Sequence, residues 1–466
     1  MKERIFQTLS DLRAYARQKG YEATFLLHEE DSHLMRFANS AISLNTNEHL
    51  LRLEITTYQD KKRASYELIT DLSKLEEMKQ GVDTAAEMAQ HVQPLTYQPT
   101  IPTFTTTFTD ETAYDPTLAE ISNAERLAYF NRASAGLELP TQNIASLKLS
   151  GIFSSGANII AQTNTRSEHI QYFITSDAQV TAVLSHARLK WEVDAEQSAQ
   201  VKADLDPEAV QRDLAYLVHH YQQDTPTQVP LGSYDIVLGG SAIADLLNFM
   251  NWIGFNGGMM KRGISFMKEE HVGKPVFSNK LTLVDDPRRR ETFPFARDLT
   301  GMPRQPYPLI MQGIFQGFTW AQDDADEFNA KPTGHTLPHK SLVVAGGDFH
   351  ASTLEELVNA PREKDLLYIH YLHYMNIVNP SRGIITGSSR FGALLLKADG
   401  SVAVPYNVRL THSLLDIFGD RVAWFSQATL PLNTSSSYGG RNTTAIIVQA
   451  FMSVNDLTIS TSNSSY

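Results

Sequence analysis

Residues 233–263 constrain the fold more than any other stretch of the chain. A short apolar strand, Tyr234–Leu238, ends at Gly239-Gly240, and Ser241 follows as the expected cap of a helix through Ala242–Ile253. A capping role for Ser241 outweighs anion binding at the helix N-terminus. The helix reads AIADLLNFMNWI, so it has to pack as core or line an apolar wall. Gly257-Gly258, Arg262-Gly263 and a turn through Val284-Asp285-Asp286-Pro287 come next.

A chain of 466 residues exceeds the roughly 250–300 that one core supports, so two domains are expected. The stretch Gln222–Gly232 carries two prolines, a glycine and no periodicity, which marks it as the boundary between 1–222 and 223–466. The first part alternates helices and strands. Helices are expected over about 2–18, from a Ser73/Glu76 capping box to Pro94, from Asp115-Pro116 to about Ala135, and from Asp206-Pro207 to about Tyr221. Strands are expected at 23–27, 34–44, 50–58, 63–68, 145–153, 157–163, 168–177 and 180–193. Residues 93–109, rich in Pro and Thr, read as an extended crossing. Strands then dominate: 307–312, 314–320, 341–346, 366–375, 392–397, 402–405, 421–425 and 444–452. The Ser/Thr/Asn-rich end, Ile459–Tyr466, reads as a fraying tail. The fold class is α+β, a mixed α/β N-terminal domain followed by a β-rich C-terminal one.

Charge and composition exclude several functions. A net charge of −12 argues against a surface that neutralises phosphates, and the one basic run, Arg288-Arg289-Arg290, follows a turn. No nucleic-acid partner is expected. With no cysteine in the chain, disulfides, thiol catalysis and thiolate metal ligands are excluded. The N-terminus lacks the roughly 7–15-residue apolar core of a signal peptide. No run of about 18 apolar residues occurs, so no membrane span is expected and the cytoplasm is the expected location.

Several separated motifs carry a resemblance. Arg36-Phe37-Ala38-Asn39-Ser40-Ala41-Ile42, Pro230-Leu231-Gly232-x-Tyr234-Asp235, Gly313-Ile314-x-x-Gly317-Phe318, Lys331-Pro332-Thr333-Gly334-His335, Thr386-Gly387-Ser388-Ser389-Arg390 and Asn407-Val408-Arg409 occur in the order seen in the TldD/PmbA family, also called peptidase U62 or modulator-of-gyrase proteins. The resemblance implies a barrel-like C-terminal domain, dimers that enclose a cavity, and action on unfolded peptides. It also implies, in zinc-bearing members, a His-Glu-x-x-x-His helix with a cysteine as third ligand. Counted back from Arg262-Gly263, those helix positions fall on Asn248, Phe249 and Ile253. The chain therefore resembles the PmbA side of the family, which pairs with a zinc-bearing TldD partner.

A zinc peptidase needs neutral imidazoles, a third ligand, and a carboxylate to deprotonate the bound water. Phe249 and Ile253 can do none of this and Asn248 would coordinate weakly, so the chain's own metal is expected to be none and zinc to come only from a partner. Other centres read poorly. His335-x-x-x-His339 contains Pro338. His370 and His373 lie three apart in an expected strand and so face opposite sides, while His219-His220 diverge on a helix. Asp348-Phe349-His350 lacks a nucleophile, and no Gly-x-Ser-x-Gly elbow occurs. That leaves peptide binding on strand edges, with Arg36, Asn39, Arg390 and Arg409 as candidates to hold a peptide carbonyl or carboxylate. The expected role is a zinc-less half of a dimeric protease, as a homodimer or with a TldD-like subunit. The alternatives are a stand-alone homodimeric peptide- or polymer-binding protein and a hydrolase with a different metal centre.

Overall fold

The computed structural model describes residues 1–137, 147–186, 189–223, 226–293, 295–335, 340–434 and 444–462. Helix α1 (Lys2–Gln18) precedes strands β1 (Glu22–Ala38), β2 (Ala41–Gln59) and β3 (Lys62–Thr70), and helix α2 (Leu75–His91) follows. After the extended crossing come β4 (Phe108–Ala113), the helices α3 (Pro116–Ala119) and α4 (Asn123–Ala133), strands β5 (Leu147–Asn164), β6 (Gln171–His186) and β7 (Trp191–Ala199), and helix α5 (Pro207–Gln223). The strands form one sheet in the order β3-β2-β1-β5-β6-β4, with β7 also pairing β6. Ile5, Leu9 and Leu12 of α1 and Val82 and Ala85 of α2 bury themselves with Phe25, Leu27, Leu53 and Ile55 of the sheet.

Several expected strands fuse. The polar run in the middle of β1 stays in the ladder because its neighbours satisfy it: Arg52 pairs with Glu30 at 2.8 Å, and His28 meets Asn158 at 3.0 Å. Asn39 and Ser40, with φ of 52° and 62°, form the two-residue turn between β1 and β2, a geometry that asparagine tolerates. Two helix expectations need correction. Ser73 caps nothing; its N–H is taken by the Asp71 carboxylate at 2.8 Å, and α2 starts after Lys74 without a side-chain cap. Asp115 does cap a helix, but that helix ends at Ala119, and Ser122 with Glu125 forms the capping box of a second one.

The second half begins with β8 (Gly232–Gly239), α6 (Gly240–Gly254), α7 (Gly257–Lys261), β9 (Leu283–Asp285), β10 (Tyr307–Met311), β11 (Ile314–Phe315), α8 (Gln322–Phe328), β12 (Leu342–Val344) and α9 (Leu354–Asn359). It continues through β13 (Leu366–Ile369), β14 (Tyr371–Asn379), β15 (Ile384–Arg390), β16 (Leu394–Leu396), β17 (Val402–Ala403), β18 (Val408–Ser413) and α10 (Leu414–Phe418). It ends with β19 (Val422–Phe425), β20 (Thr429–Asn433), β21 (Ala445–Gln449) and β22 (Phe451–Thr461). The tail expected to fray from Ile459 is, up to Thr461, the end of a strand paired with β18; residues 463–466 lie outside the described residues.

These strands make two sheets, β11-β10-β9-β12-β21-β20 and β14-β15-β18-β22-β8-β13-β16-β17, the latter with β19 on β22. Both orders have free ends among the described residues, so the barrel expected here is not closed. Helix α6 packs against β8, β14 and β22 of one sheet and β20 and β21 of the other, and its apolar side chains join a core fed by both. A second core crosses residues 222–232: it holds Phe153, Trp191 and Leu214 together with Val237, Leu394 and Phe451. None of the described helices is long and apolar enough to cross a membrane.

Candidate functional site on helix α6

Strand β8 delivers the chain to α6 through two glycines packed from both sides. A Cβ on Gly239 would meet the His370 carbonyl at 3.0 Å and the Tyr368 hydroxyl at 3.1 Å, and one on Gly240 would meet Leu430 at 3.2 Å. Close packing, rather than an anion cradle, accounts for the pair. The N-cap is Gly239, which corrects the reading of Ser241 as the cap. Ser241 sits in the first turn and its Oγ donates to the Glu196 carboxylate of β7.

The helix has two faces. Ile243, Leu246, Leu247, Met250 and Ile253 are 0–1% exposed and form the core side. Asp245, Asn248, Phe249 and Trp252 recur at helical spacing on the opposite side, half-buried except for Trp252 at 47% exposure. The three positions that the resemblance assigns to the zinc motif are therefore split. Asn248 and Phe249 are half-buried, with Phe249 packed against the edge of the core, and Ile253 lies inside it. A zinc ion does not fit them, because neither a phenyl ring nor a buried sec-butyl group donates a lone pair. Among the described residues no group of three or more His, Asp or Glu side chains is placed to hold a metal.

On the core side, Asn251 accepts a hydrogen bond from Lys340 Nζ at 2.5 Å, and Lys340 also donates to Thr319 Oγ1 at 3.1 Å. Burial pulls the Lys340 amine down to about 8. Close by, Arg304 and Asp285, both at most 1% exposed, pair at 2.7 Å.

The opposite side is acidic. Asp194 and Glu196 alternate with buried Val193 and Ala195 on β7, so both carboxylates leave the same face of the strand. His370, just beyond β13, pairs with Asp194 at 2.9 Å and meets the Tyr368 hydroxyl at 2.9 Å. Burial works to lower the His370 pKa, but Asp194, with Glu196 and Asp213, outweighs it and raises the imidazole above its ordinary value. Burial and then Asp194 raise Glu196. Burial and then the Glu196 charge push Asp245 up to about 7. Such an arrangement can share protons and attract cations.

The expected site residues are not one constellation. Arg36 and Asn39 are exposed at the β1–β2 hairpin of the N-terminal sheet. Arg390 points both Nε and Nη2 at Glu192 Oε2, at 3.0 and 2.8 Å, and ties β15 to β7. Arg409 donates to Thr386 Oγ1 at 3.0 Å on the neighbouring strand. No hydrogen bond or ion pair among the described residues links the first two to the last two. His370 and His373 separate, but not as two faces of one strand: the expected strand over 366–375 breaks at His370, between β13 and β14, and His373 meets Phe391 edge-on. The ring of His335 is buried and contacts the Gln305 carbonyl at 3.1 Å; His339 lies outside the described residues. Sequence reasoning missed the acidic cluster and Lys340. The signal for the former was Glu192-Val193-Asp194-Ala195-Glu196, three acids on one strand face.

Residues 231–454 match the family described as PmbA/TldA metallopeptidase C-terminal domain. No curated protein matches the chain. Among solved structures, the chain is similar to TldE from Thermococcus kodakarensis, with a TM-score of 0.79, 16% identity, and 97% of this chain and 100% of that one covered. It is also similar to a protein named as a candidate modulator of a DNA gyrase from Thermotoga maritima, at TM-score 0.75, 14% identity and coverage of 97% and 99%. A protein so named from Bacteroides thetaiotaomicron gives 0.76, 15%, and 97% and 98%. At these identities the structural likeness concerns the fold.

Proposed function

The chain belongs to the TldD/PmbA family, and from that premise we propose that it is a PmbA-like member of a metallopeptidase system, without a zinc centre of its own. It works in the cytoplasm as half of a dimer, holding unfolded peptide for a zinc-bearing TldD-like subunit that performs the cleavage. The observation that supports this most is the split of the zinc-motif positions on α6, with Ile253 at 1% exposure inside the core. A helix of this kind walls a channel but offers no imidazole and no base where the family's metal would sit.

Strand β14 supports the holding role. It ends the larger C-terminal sheet, so its outer edge has no partner among the described strands, and α6 packs beside it. Tyr374 and Val378 on it are 67% and 57% exposed. An extended peptide added there gains backbone hydrogen bonds that do not depend on sequence. The register shift between His373 and Asn376 is a bulge of the kind that discourages pairing of β14 with another copy's edge.

The test is complementation. A zinc-bearing paralogue assayed on a denatured, fluorogenic polypeptide should gain activity when this chain is added, and the two should elute together. Cleavage by this chain alone would overturn the reading. A lone homodimer that binds the peptide and ignores the paralogue would favour a stand-alone binding protein instead.

A further inference from the structure

A cavity of about 390 Å³ opens between β7 and β20, just behind the N-terminal turn of α6. Its walls are apolar: Phe293 on one side, Leu430, Pro431 and Leu432 on the other. Glu196 stands in it with Ser241 as its only hydrogen-bond donor and no Lys or Arg in an ion pair with it among the described residues. The other two acids on its rim are different. Asp204 faces Arg290 at 4.0 Å, and Glu291 faces Arg289 at 3.3 Å.

A second, independent feature lies in the same cavity. Gln200 is 3% exposed, yet its Oε1 and Nε2 are both buried without a hydrogen-bond partner. Its neighbours are satisfied: Gln197 Oε1 accepts from Tyr129 and from the Asp206 N–H, and Ser198 Oγ accepts from the Asn433 N–H. A buried primary amide without partners costs free energy unless something brings both a donor and an acceptor to it. A peptide group does.

We propose that this cavity is a specificity pocket for a basic side chain of a bound peptide: Gln200 takes a backbone amide, the apolar walls take the methylene stem, and Glu196 takes the ammonium or guanidinium head. The spacing selects this ligand over a free amino terminus. Glu196 and Gln200 are four residues apart along β7 and its extension, about 13 Å between Cα atoms. An α-ammonium lies too close to its own peptide bond to span that gap, whereas a lysine or arginine stem spans it. A bound cation also offsets the repulsion among Glu196, Asp194 and Asp245. The inference deepens the peptide-holding role and rests on it.

The test uses the full chain and fluorescein-labelled Gly/Ser decapeptides that carry one central lysine, arginine, norleucine or glutamate, read by anisotropy. The lysine and arginine peptides should bind about tenfold tighter than the norleucine peptide, and Glu196→Gln should erase that preference. Leu432→Trp, which fills the cavity, should weaken the basic peptides selectively. Equal affinity for lysine and norleucine in the unaltered chain overturns the proposal, as does a preference that survives Glu196→Gln. Binding of n-butylammonium over n-butanol is measured in parallel. If butylammonium binds in a Glu196-dependent way and no peptide binds at all, the cation pocket stands and the peptide-holding role falls.

Discussion

Two groups of ionisable side chains flank helix α6, and they are built on opposite principles. On the core side Arg304 pairs with Asp285, and the Lys340 ammonium is held by two neutral acceptors, Asn251 and Thr319. On the other side, Asp194, Glu196 and Asp213 act on one imidazole and Asp245 faces the Glu196 charge, and neither Glu196 nor Asp245 forms an ion pair with a Lys or Arg among the described residues. Balanced burial holds a fold together, and removal of either partner leaves a stranded charge. Unbalanced burial works against folding, so it persists where something outside the folded chain completes it. The core side of α6 is the structural side, and the acidic side is where the proposed peptide side chain would sit.

The comparison breaks most easily through stability. Asp285→Ala strands Arg304 and also removes the acceptor of the Ser341 N–H, so urea unfolding should show a loss of about 3–5 kcal/mol. Glu196→Gln removes one of several repelling carboxylates, and the same experiment should show a change of less than about 1 kcal/mol. Equal losses would erase the distinction. Next in size is Ile253→His. A polar ring in the core side of α6 should cost about 2–4 kcal/mol without raising the zinc content, measured by unfolding and by elemental analysis.

The acidic side should also show itself in pH dependence. Asp245 titrates at 3.8 when unfolded and near about 7 when folded. Between those values the folded state keeps a proton that the unfolded state releases, so stability falls as pH rises through this window. Asp245→Asn should flatten that part of the curve by about 1–3 kcal/mol; an unchanged slope would place the proton elsewhere. The smallest effect is expected at Arg390. Its pair with Glu192 is partly exposed, at 23% and 30%, and Arg390→Ala should cost less than about 1 kcal/mol. If Arg390→Ala abolished peptide binding at unchanged stability, Arg390 would move from tie to binding residue.

Much of this architecture was legible along the chain, and the failures have physical causes. The strand–glycine–helix passage at α6, the apolar stripes of α1 and α2 and the Asp115 cap follow from local rules. The Ser73–Glu76 pattern did not, because Asp71 takes the N–H of Ser73 first, whereas Ser122–Glu125 has no such competitor and closes its box. The long strands β1 and β5 looked like pairs of shorter ones because cross-strand partners, invisible in sequence, carry the polar residues between. For the same reason the acidic cluster was hidden. Alternating acids on a strand read as a solvated face, and only the arrival of α6 and His370 over β7 buries them.

The split of the zinc-motif positions across α6 is the centre of the account, and zinc stoichiometry tests it directly. Chain purified in the presence of zinc, then desalted and analysed for metal, should carry far less than one zinc per chain and should not cleave unfolded polypeptide alone. One firmly held zinc per chain, lost together with peptidase activity when Asn248 is replaced by alanine, would contradict it.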